Sequence, residues 1–376
     1  MNVHDSEKIA GLLDAEGYVA AKDGDADIIV FNTCCIRDTA ERKALGNIGK
    51  LKKIKAQNPN LIIAVAGCLS QQEGAAELFK KKYPHVDIVL GTKNIGELPK
   101  RIKESQTSKV KFLQNLAPDD FLETDENAPM TRESYPNAWI NIIYGCNNFC
   151  SYCIVPYVRG REISRKIHSV LDEVKRCLND GFREITLLGQ NVNSYGNDLK
   201  DGTSFAKLLS EIDKIEGKFR VRFMTSHPKD FNAEIVDVMA GSDKICKHIH
   251  LPVQAGSDKV LSDMNRRYTK ERYLSLVELI RKKMPDCGIT SDIMVGYPTE
   301  TEEDFLETLD LVRRARFSAA FTFIFSPRRG TPAEKLPQLT EEVKKDRITR
   351  LIALQNSVTK EISKAHLGNV YEILVE

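Results

Sequence analysis

The chain has 376 residues, enough for two or more domains, and its 41% hydrophobic and 29% charged residues are typical of a globular protein. A formal net charge of +2 gives no sign of nucleic-acid binding by the chain as a whole. No apolar run approaches the roughly 20 residues of a membrane-spanning helix, and the first residues lack the basic and apolar regions of a secretory signal. These features argue against membrane and secreted proteins and predict a cytoplasmic one.

The first hundred residues alternate between helix and strand patterns. They predict a helix over 3–16, a buried strand over 27–32, a helix over 37–55, a strand over 61–66 and, after a third helix, a strand over 86–90. This alternation predicts an α/β fold with a doubly wound parallel sheet, in a domain that fills residues 1–104. Residues 105–135 are rich in Ser, Thr, Pro, Asp and Glu with weak periodicity, and they are predicted to be a linker.

The alternation resumes in a second domain, predicted over residues 136–365. Six strands are predicted, over 138–144, 184–189, 219–225, 246–251, 288–295 and 320–325, with helical stretches between them. The pattern predicts a partial (β/α)6 barrel, whose site is expected at the carboxyl ends of the strands. A helix is predicted over 340–364, and the tail at 366–376 alternates like the first strand of a further β domain.

The most specific motif is a C-x3-C-x2-C pattern formed by Cys146, Cys150 and Cys153, directly after the first barrel strand. Three thiolates on one short loop can hold three irons of a 4Fe–4S cluster and leave the fourth iron open to S-adenosylmethionine (SAM). The alternative is structural zinc, which usually takes four ligands from paired C-x2-C knuckles. No second knuckle follows here, so the spacing favours the iron–sulfur cluster.

A second pair of cysteines, Cys34 and Cys68, follows two predicted strands of the first domain. Neighbouring strand ends converge on one crevice of an open parallel sheet, so the two thiols could share a metal. Buried cysteines in strands are also common as core residues, and the pattern alone leaves both interpretations open. Cys35 is adjacent to Cys34 and is therefore expected to point elsewhere and to be inert.

Together with Tyr152 beside the third cysteine, the barrel segment 138–330 resembles the radical SAM superfamily. The stretches FNTCCIR at 31–37, VAGC at 65–68 and YGCNNFCSYCIVPYVRGRE at 144–162 resemble the methylthiotransferases of that superfamily. The resemblance covers nearly all of the chain. It implies an N-terminal domain with an auxiliary cluster, a radical barrel and an RNA-binding β-barrel, with two 4Fe–4S clusters and SAM as cofactors.

The chain departs from this family in two places. The family uses three cysteines in its N-terminal domain, and the first precedes a Met-Asn-Val-like stretch with which this chain begins. Cys34 and Cys68 are then the remaining ligands. Either the natural start lies upstream, as we expect, or the auxiliary cluster has one ligand fewer. The C-terminal barrel is expected only as its first strand.

Further cofactor contacts are expected at the ends of the barrel strands. The resemblance implies that Tyr152 packs near the adenine, that Gln254 lies near the cofactor, and that Arg266 meets its carboxylate. Gly296 would let the backbone approach the adenine. The polar loops with Gln190, Asn191 and Ser226 can bind a zwitterion, although ordinary turns have the same composition. His227 is either a proton carrier or a strand cap.

Basic residues follow the cysteine loop and the sixth strand, namely Arg159, Arg161, Arg328 and Arg329. They are predicted to contact tRNA phosphates, although a solvated surface is the usual role of such clusters. The resemblance implies a monomer that adds a methylthio group to C2 of N6-dimethylallyladenosine next to the anticodon, with an electron donor such as flavodoxin or ferredoxin. The alternatives are a threonylcarbamoyladenosine tRNA or a ribosomal-protein aspartate as substrate, and a non-catalytic RNA-binding protein with zinc.

Overall fold

A computed structural model describes residues 1–21, 26–36, 38–107, 113–115 and 128–375, of which 113–115 are described in their backbone only. The chain divides into two compact units. The first comprises Met1–Glu133 and Cys153–Arg161, and the second comprises Ser134–Tyr152 and Glu162–Glu376. The segment that begins with the third motif cysteine, Cys153, therefore belongs to the first unit, although its position in the sequence lies within the predicted barrel domain.

The first unit contains a parallel sheet in the order β1-β2-β3-β4. Its strands are β1 Ile28–Thr33, β2 Ile62–Gly67, β3 Ile88–Leu90 and β4 Leu113–Asn115. Three of these strands were predicted, whereas β4 lies where a linker was expected. The order runs without reversal among the described strands, so these four strands show no switch of the kind that defines a doubly wound fold.

Helices cover both faces of this sheet. They are α1 Asn2–Ala15, α2 Asp38–Gln57, α3 Ala75–Lys82 and α4 Leu98–Thr107. Ile48 of α2 and Phe79 of α3 pack with Val65 on one face. Ile9 of α1 and Ile102 of α4 pack with Ala64 on the other. Every residue of β2 is buried, which explains why its sequence is a continuous apolar run rather than an alternating one.

The second unit contains two parallel three-stranded sheets and an antiparallel pair of short strands. The parallel strands are β5 Asn137–Asn141, β8 Glu184–Leu188 and β9 Arg220–Phe223 in one sheet, and β10 His248–His250, β11 Gly288–Val295 and β12 Ala319–Ile324 in the other. The short pair is β6 Ile143–Tyr144 with β7 Ile163–Ser164. The six predicted strands are thus present, and the first of them is divided between β5 and β6.

Most helices of the second unit begin at a side-chain cap. The helices after β6 are α5 Val155–Arg159, which lies in the first unit, and α6 Ile167–Asn179, α7 Phe205–Asp213, α8 Ala233–Gly241, α9 Asp258–Asp263, α10 Lys270–Lys283, α11 Glu302–Ala315 and α12 Glu341–Lys364. A Ser, Thr or Asn caps each of α7 to α12 by accepting a backbone hydrogen bond, which contributes about 1 kcal/mol per helix. No helix in the described ranges is long and apolar enough to cross a bilayer.

The tail differs from its prediction. Residues 370–375 form neither helix nor strand, and Val370 and Ile373 are exposed. A strand is stabilised by pairing with a neighbour, and this segment instead contacts the rest of the unit through Glu372. Glu372 lies 3.1 Å from Lys218 Nζ, and its carbonyl accepts a hydrogen bond from Arg220.

Candidate metal centres

The cysteine motif lies in the long connection between β6 and β7, and Ser151 anchors its middle part. The Ser151 hydroxyl donates to the carbonyl of Asp263 at 2.8 Å and lies 2.9 Å from the Tyr297 hydroxyl. The Ser151 amide donates to the carbonyl of Met264 at 3.1 Å, and its carbonyl accepts from the amide of Ala333 at 2.9 Å. Three separate segments of the second unit therefore fix one residue of the cysteine loop.

Asn265 fixes the same loop two residues earlier. Its side-chain amide donates to the carbonyls of Asn148 at 3.1 Å and Phe149 at 2.9 Å. Asn265 has a φ of 57°, a left-handed conformation that Asn adopts more readily than most residues. In the sequence this stretch is distinctive only for Arg266, and nothing about Asn265 itself predicts this role.

Two motif sulfurs receive hydrogen bonds from nitrogen donors. Asn148 Nδ2 lies 3.6 Å from Cys146 Sγ, and Arg266 Nη1 lies 3.5 Å from Cys150 Sγ. Burial raises the pKa of Cys146 to about 11, and hydrogen bonds from Asn148 oppose the shift. The free thiol is then protonated at neutral pH, and a metal must displace this proton.

The thiol donors of the motif suit an iron–sulfur cluster. In the part of the chain that the structure describes, no three His, Cys, Asp or Glu side chains are already arranged around a common point. A cluster needs only thiolate sulfurs, and its reduction potential depends on donors such as Asn148 and Arg266. Cys153, the third sulfur of the motif, is half-buried.

The guanidinium of Arg266 has partners within the protein. Its Nη2 donates to the carbonyl of Pro252 at 2.7 Å, and its Nε donates to the Tyr268 hydroxyl at 3.1 Å. The side chain is buried, and its guanidinium carbon lies 5.3 Å from the centre of the Tyr268 ring. These contacts position Arg266 beside Cys150, whereas its predicted contact with the carboxylate of SAM stays a prediction.

Four buried polar atoms at the carboxyl ends of β8 and β9 have no hydrogen-bond partner among the described residues. They are Asn191 Oδ1, Asn193 Nδ2, Ser226 Oγ and His227 Nε2. Unpartnered buried groups of this kind are costly and call for a ligand or water. Asn191 and Ser226 were predicted cofactor contacts, and the structure adds Asn193, whose Oδ1 accepts the His227 amide at 3.0 Å.

His227 is neutral at physiological pH. Burial lowers its pKa, and the nearby cations Arg266, Lys229 and Arg267 lower it further. Its Nδ1 accepts a hydrogen bond from the amide of Lys229 at 3.2 Å, so the ring proton is on Nε2. The side chain can therefore donate a hydrogen bond from Nε2, and its role stays a prediction.

The remaining predicted cofactor contacts lie in the cysteine loop and after β8 and β10. Tyr152 packs against a small apolar cluster that includes Tyr297, and Gln190 is half-buried after β8. Gln254 has a φ of 71°, and its amide donates to the carbonyl of Asp292 at 2.9 Å. Their contacts with SAM stay predictions.

The structure gives a different reason from the expected one for the absence of a side chain at position 296, which is Gly296. Its φ is 74°, and a Cβ atom there would lie 2.6 Å from Lys344 Cγ. The space beside its Cα is thus filled by the Lys344 side chain, and an adenine does not have access to it. A contact of adenine with the Gly296 backbone remains a prediction.

The second pair of cysteines lies at the carboxyl ends of β1 and β2. Thr33 pairs with Gly67, and the amide of Cys68 donates to the carbonyl of Thr33 at 3.0 Å. Cys34 is half-buried and Cys68 is buried. The register therefore places both residues just after the last paired position of adjacent strands, as predicted.

Cys35 does not point elsewhere, contrary to expectation. Its buried thiol hydrogen-bonds with the sulfur of Cys68. This bond lowers the pKa of Cys68 more than the nearby Arg159 does. The same bond raises the pKa of Cys35. Strand alternation ends at Thr33, so the opposite-face argument does not extend to Cys34 and Cys35.

The predicted phosphate contact Arg159 is buried. Its Nε donates to Cys68 Sγ at 3.2 Å, and its Nη2 lies 2.8 Å from the Asp5 carboxylate. Only 8% of the residue is exposed, which contradicts a role in contacting RNA. Arg161 and Arg329 are exposed and Arg328 is half-buried, so for these three the prediction stands untested.

Comparisons with known proteins match both units. Residues 140–312 match the Radical SAM superfamily, and residues 1–91 match a family described as Uncharacterized protein family UPF0004. A solved structure of the radical SAM methyltransferase TsrM from Kitasatospora setae has a TM-score of 0.63 at 15% identity and covers 88% of this chain and 73% of its own. The cobalamin-dependent SAM radical enzyme OxsB has a TM-score of 0.54 at 14% identity, with 95% and 54% covered. At these identities the two structures support the fold alone.

Curated relatives are much more similar in sequence. The tRNA-2-methylthio-N(6)-dimethylallyladenosine synthase of Carboxydothermus hydrogenoformans is 52% identical over 100% of this chain and 86% of its own length. The enzyme of the same name from Thermoanaerobacter sp. is also 52% identical, over 100% of this chain and 80% of its own. With its cysteine motif, its strand-end polar groups and this similarity over its whole length, the chain belongs to the tRNA-2-methylthio-N(6)-dimethylallyladenosine synthase family of radical SAM enzymes.

Proposed function

We propose that the chain adds a methylthio group to C2 of N6-dimethylallyladenosine in tRNA, with SAM and 4Fe–4S clusters as cofactors. The observation that carries this proposal is the C-x3-C-x2-C motif on an anchored loop, in a chain 52% identical to synthases of that name. Two of its sulfurs accept hydrogen bonds from Asn148 and Arg266. The chemistry that the cluster supplies when bound is the reductive cleavage of SAM to methionine and a 5′-deoxyadenosyl radical.

The residues of the chain bind and orient the reactants. Cys146, Cys150 and Cys153 hold the first cluster, while Ser151 and Asn265 keep their loop in place. Asn191, Asn193, Ser226 and His227 offer buried hydrogen-bonding atoms to SAM and the adenosine. Neutral His227 offers its Nε2–H as a hydrogen-bond donor and does not act as a general acid, because burial and nearby cations disfavour the imidazolium that such an acid requires.

We assign Cys34 and Cys68 to a second, auxiliary cluster, and we assign Arg161, Arg328 and Arg329 to tRNA phosphates. The two three-stranded sheets together form the partial six-stranded barrel in this interpretation. A flavodoxin or ferredoxin supplies the electron, and the chain acts as a monomer in the cytoplasm. What supports the RNA contacts is the exposure of Arg161 and Arg329 and the affinity of arginine for phosphate.

Anaerobic reconstitution with iron and sulfide tests the cluster assignment. The parent protein is compared with the variant Cys146→Ala/Cys150→Ala/Cys153→Ala, with iron counted and 5′-deoxyadenosine measured after addition of dithionite. We expect the variant to lose about four irons and all SAM cleavage. A colourless parent that binds zinc and cleaves no SAM would instead support the non-catalytic RNA-binding protein.

A second experiment tests the substrate. The reconstituted enzyme is incubated with one tRNA that carries N6-dimethylallyladenosine and another that carries threonylcarbamoyladenosine, and the digested nucleosides are analysed by mass spectrometry. We expect the mass of a methylthio group to be added only to the first nucleoside. Addition to the threonylcarbamoyl nucleoside alone would contradict the proposed substrate and leave the reaction class intact.

A further inference from the structure

A buried chain of three side chains ends on the sulfur of Cys68. Asp5 of α1 lies 2.8 Å from Arg159 Nη2, and Arg159 Nε lies 3.2 Å from Cys68 Sγ. Asp5 is 6%, Arg159 8% and Cys68 2% exposed. The guanidinium therefore lies between a carboxylate and a sulfur, shielded from water, where interactions between charges are strong.

The surrounding residues hold Arg159 in this position. It is the last residue of α5, and Ile154 and Val158 of the same segment are buried in the core that also contains Cys68. The Thr92 hydroxyl donates to the carbonyl of Val158 at 2.9 Å. The position of the guanidinium is thus set by packing and by backbone hydrogen bonding as well as by its ion pair.

A guanidinium so placed suits a negatively charged sulfur. Arginine stays protonated when buried beside carboxylate and sulfur, and both Asp5 and Cys68 raise its pKa against the effect of burial. A hydrogen bond and a positive charge at a ligating sulfur favour the reduced state of an iron–sulfur cluster, because reduction adds negative charge. Asp5 has the opposite charge and partly cancels this effect.

We propose that Arg159 and Asp5 are positioning residues. They orient Cys68 as a ligand, and they shift the reduction potential of the auxiliary cluster in opposite directions. This inference rests on the proposed function, because it requires a cluster at Cys34 and Cys68. It gives Arg159 a role at the auxiliary cluster, in place of the phosphate contact that its sequence neighbourhood suggested.

The test is a redox titration of the full chain carrying Cys146→Ala/Cys150→Ala/Cys153→Ala, so that only the auxiliary cluster contributes. The midpoint potential is measured by electron paramagnetic resonance in this protein and in three variants of it. Each variant carries one further substitution, Arg159→Gln, Arg159→Lys or Asp5→Asn. We expect Arg159→Gln to make the potential more negative and Asp5→Asn to make it less negative. Arg159→Lys keeps the charge but not the planar donor, so its shift is smaller than that of Arg159→Gln.

A matched control is Arg165→Lys, which changes another buried arginine, one that lies 2.5 Å from Glu173. It is expected to lower the melting temperature and to leave the auxiliary potential unchanged. The proposal would be overturned if the midpoint potentials of Arg159→Gln and Asp5→Asn shifted in the same direction, or if neither shifted. Loss of a merely structural contact would disturb the cluster in the same way in the two variants.

Two outcomes separate this inference from the proposed function. If the parent protein releases 5′-deoxyadenosine and the potentials do not move in opposite directions, only the inference fails. If the triple-alanine protein binds no iron at all, the auxiliary cluster is wrongly assigned and the inference fails with it. The release of 5′-deoxyadenosine by the parent then shows whether the radical site stands.

Discussion

The hydroxyls of Ser151 and Tyr297 lie 2.9 Å apart, and this contact joins the cysteine loop to the residues that follow β11. Tyr297 is fully buried, and its hydroxyl also donates to the carbonyl of Asp263 at 3.1 Å. Because Asp263 also accepts from Ser151, one tyrosine links the loop to two other segments. The loop geometry thus depends on residues distant in sequence from the cysteines.

Tyr297→Phe is expected to lower the free energy of unfolding by about 1 kcal/mol, since it removes hydrogen bonds and keeps the ring. We also expect faster loss of iron to a chelator from the reconstituted protein. Tyr273→Phe is the matched control, because the buried Tyr273 hydroxyl donates to the carbonyl of Leu251 and not to the loop. Equal iron retention in both variants would show that the Ser151 contact does not hold the loop.

Gly296→Ala is expected to destabilise the protein more than Gly202→Ala, as measured by urea unfolding. Both glycines have a positive φ, of 74° and 79°, so both variants incur the cost of about 1 kcal/mol for a side chain there. Only at Gly296 would the new Cβ meet the Lys344 side chain, whereas nothing lies within 4 Å at Gly202. We expect Gly296→Ala to lower the free energy of unfolding by roughly a further 1–3 kcal/mol. Equal losses of stability in the two variants would show that Lys344 moves aside freely.

The contact between Cys35 and Cys68 calls for a separate test of the ligand set. In the protein without the three motif cysteines, Cys34→Ala and Cys68→Ala are each expected to abolish the remaining iron. Cys35→Ala is expected to retain it, because Cys35 packs within the apolar core and is fully buried. Loss of iron in Cys35→Ala with unchanged circular dichroism would make Cys35 a ligand.

The stability of the second unit should depend on the titration of Glu300. Burial raises the pKa of this carboxyl to about 7, although Arg347 and the amides of Gly296 and Tyr297 oppose the shift. A pKa that is higher in the folded state stabilises the fold at low pH, and this contribution is lost as the pH rises from about 4.5 to about 7. Glu300→Gln should remove this dependence, which urea midpoints between pH 4 and 8 measure. Parallel curves for the two proteins would contradict the shifted pKa.

The parallel strands were predictable because a buried strand consists of a run of apolar residues, as at Ile62–Gly67. The strand Leu113–Asn115 was not, since three residues paired through their backbone with β3 leave no such pattern. The order of strands is likewise a property of pairing and not of local sequence, which is why the order of the described strands emerged only from the structure.

The site was predictable to the extent that spacing encodes it. The cysteine motif is such a case, whereas the environment of Arg159 is not, because its partner Asp5 is separated from it by 154 positions in the chain. A buried arginine and a surface arginine have the same local sequence signal. Cys35 was misplaced for a related reason, because alternation is a rule for strands and the strand ends at Thr33.

The first unit is formed by two separate segments of the chain, and this has a consequence for the order in which the protein folds during synthesis. Residues 1–133 leave the ribosome before the segment Cys153–Arg161 that completes the same unit, and Ser134–Tyr152 of the second unit lies between them. The thiol of Cys68 and the carboxylate of Asp5 therefore emerge before Arg159 can reach them. The proposed auxiliary site consequently acquires its buried arginine only after the first motif cysteines have been made, so its assembly comes late in translation although its cysteines come early.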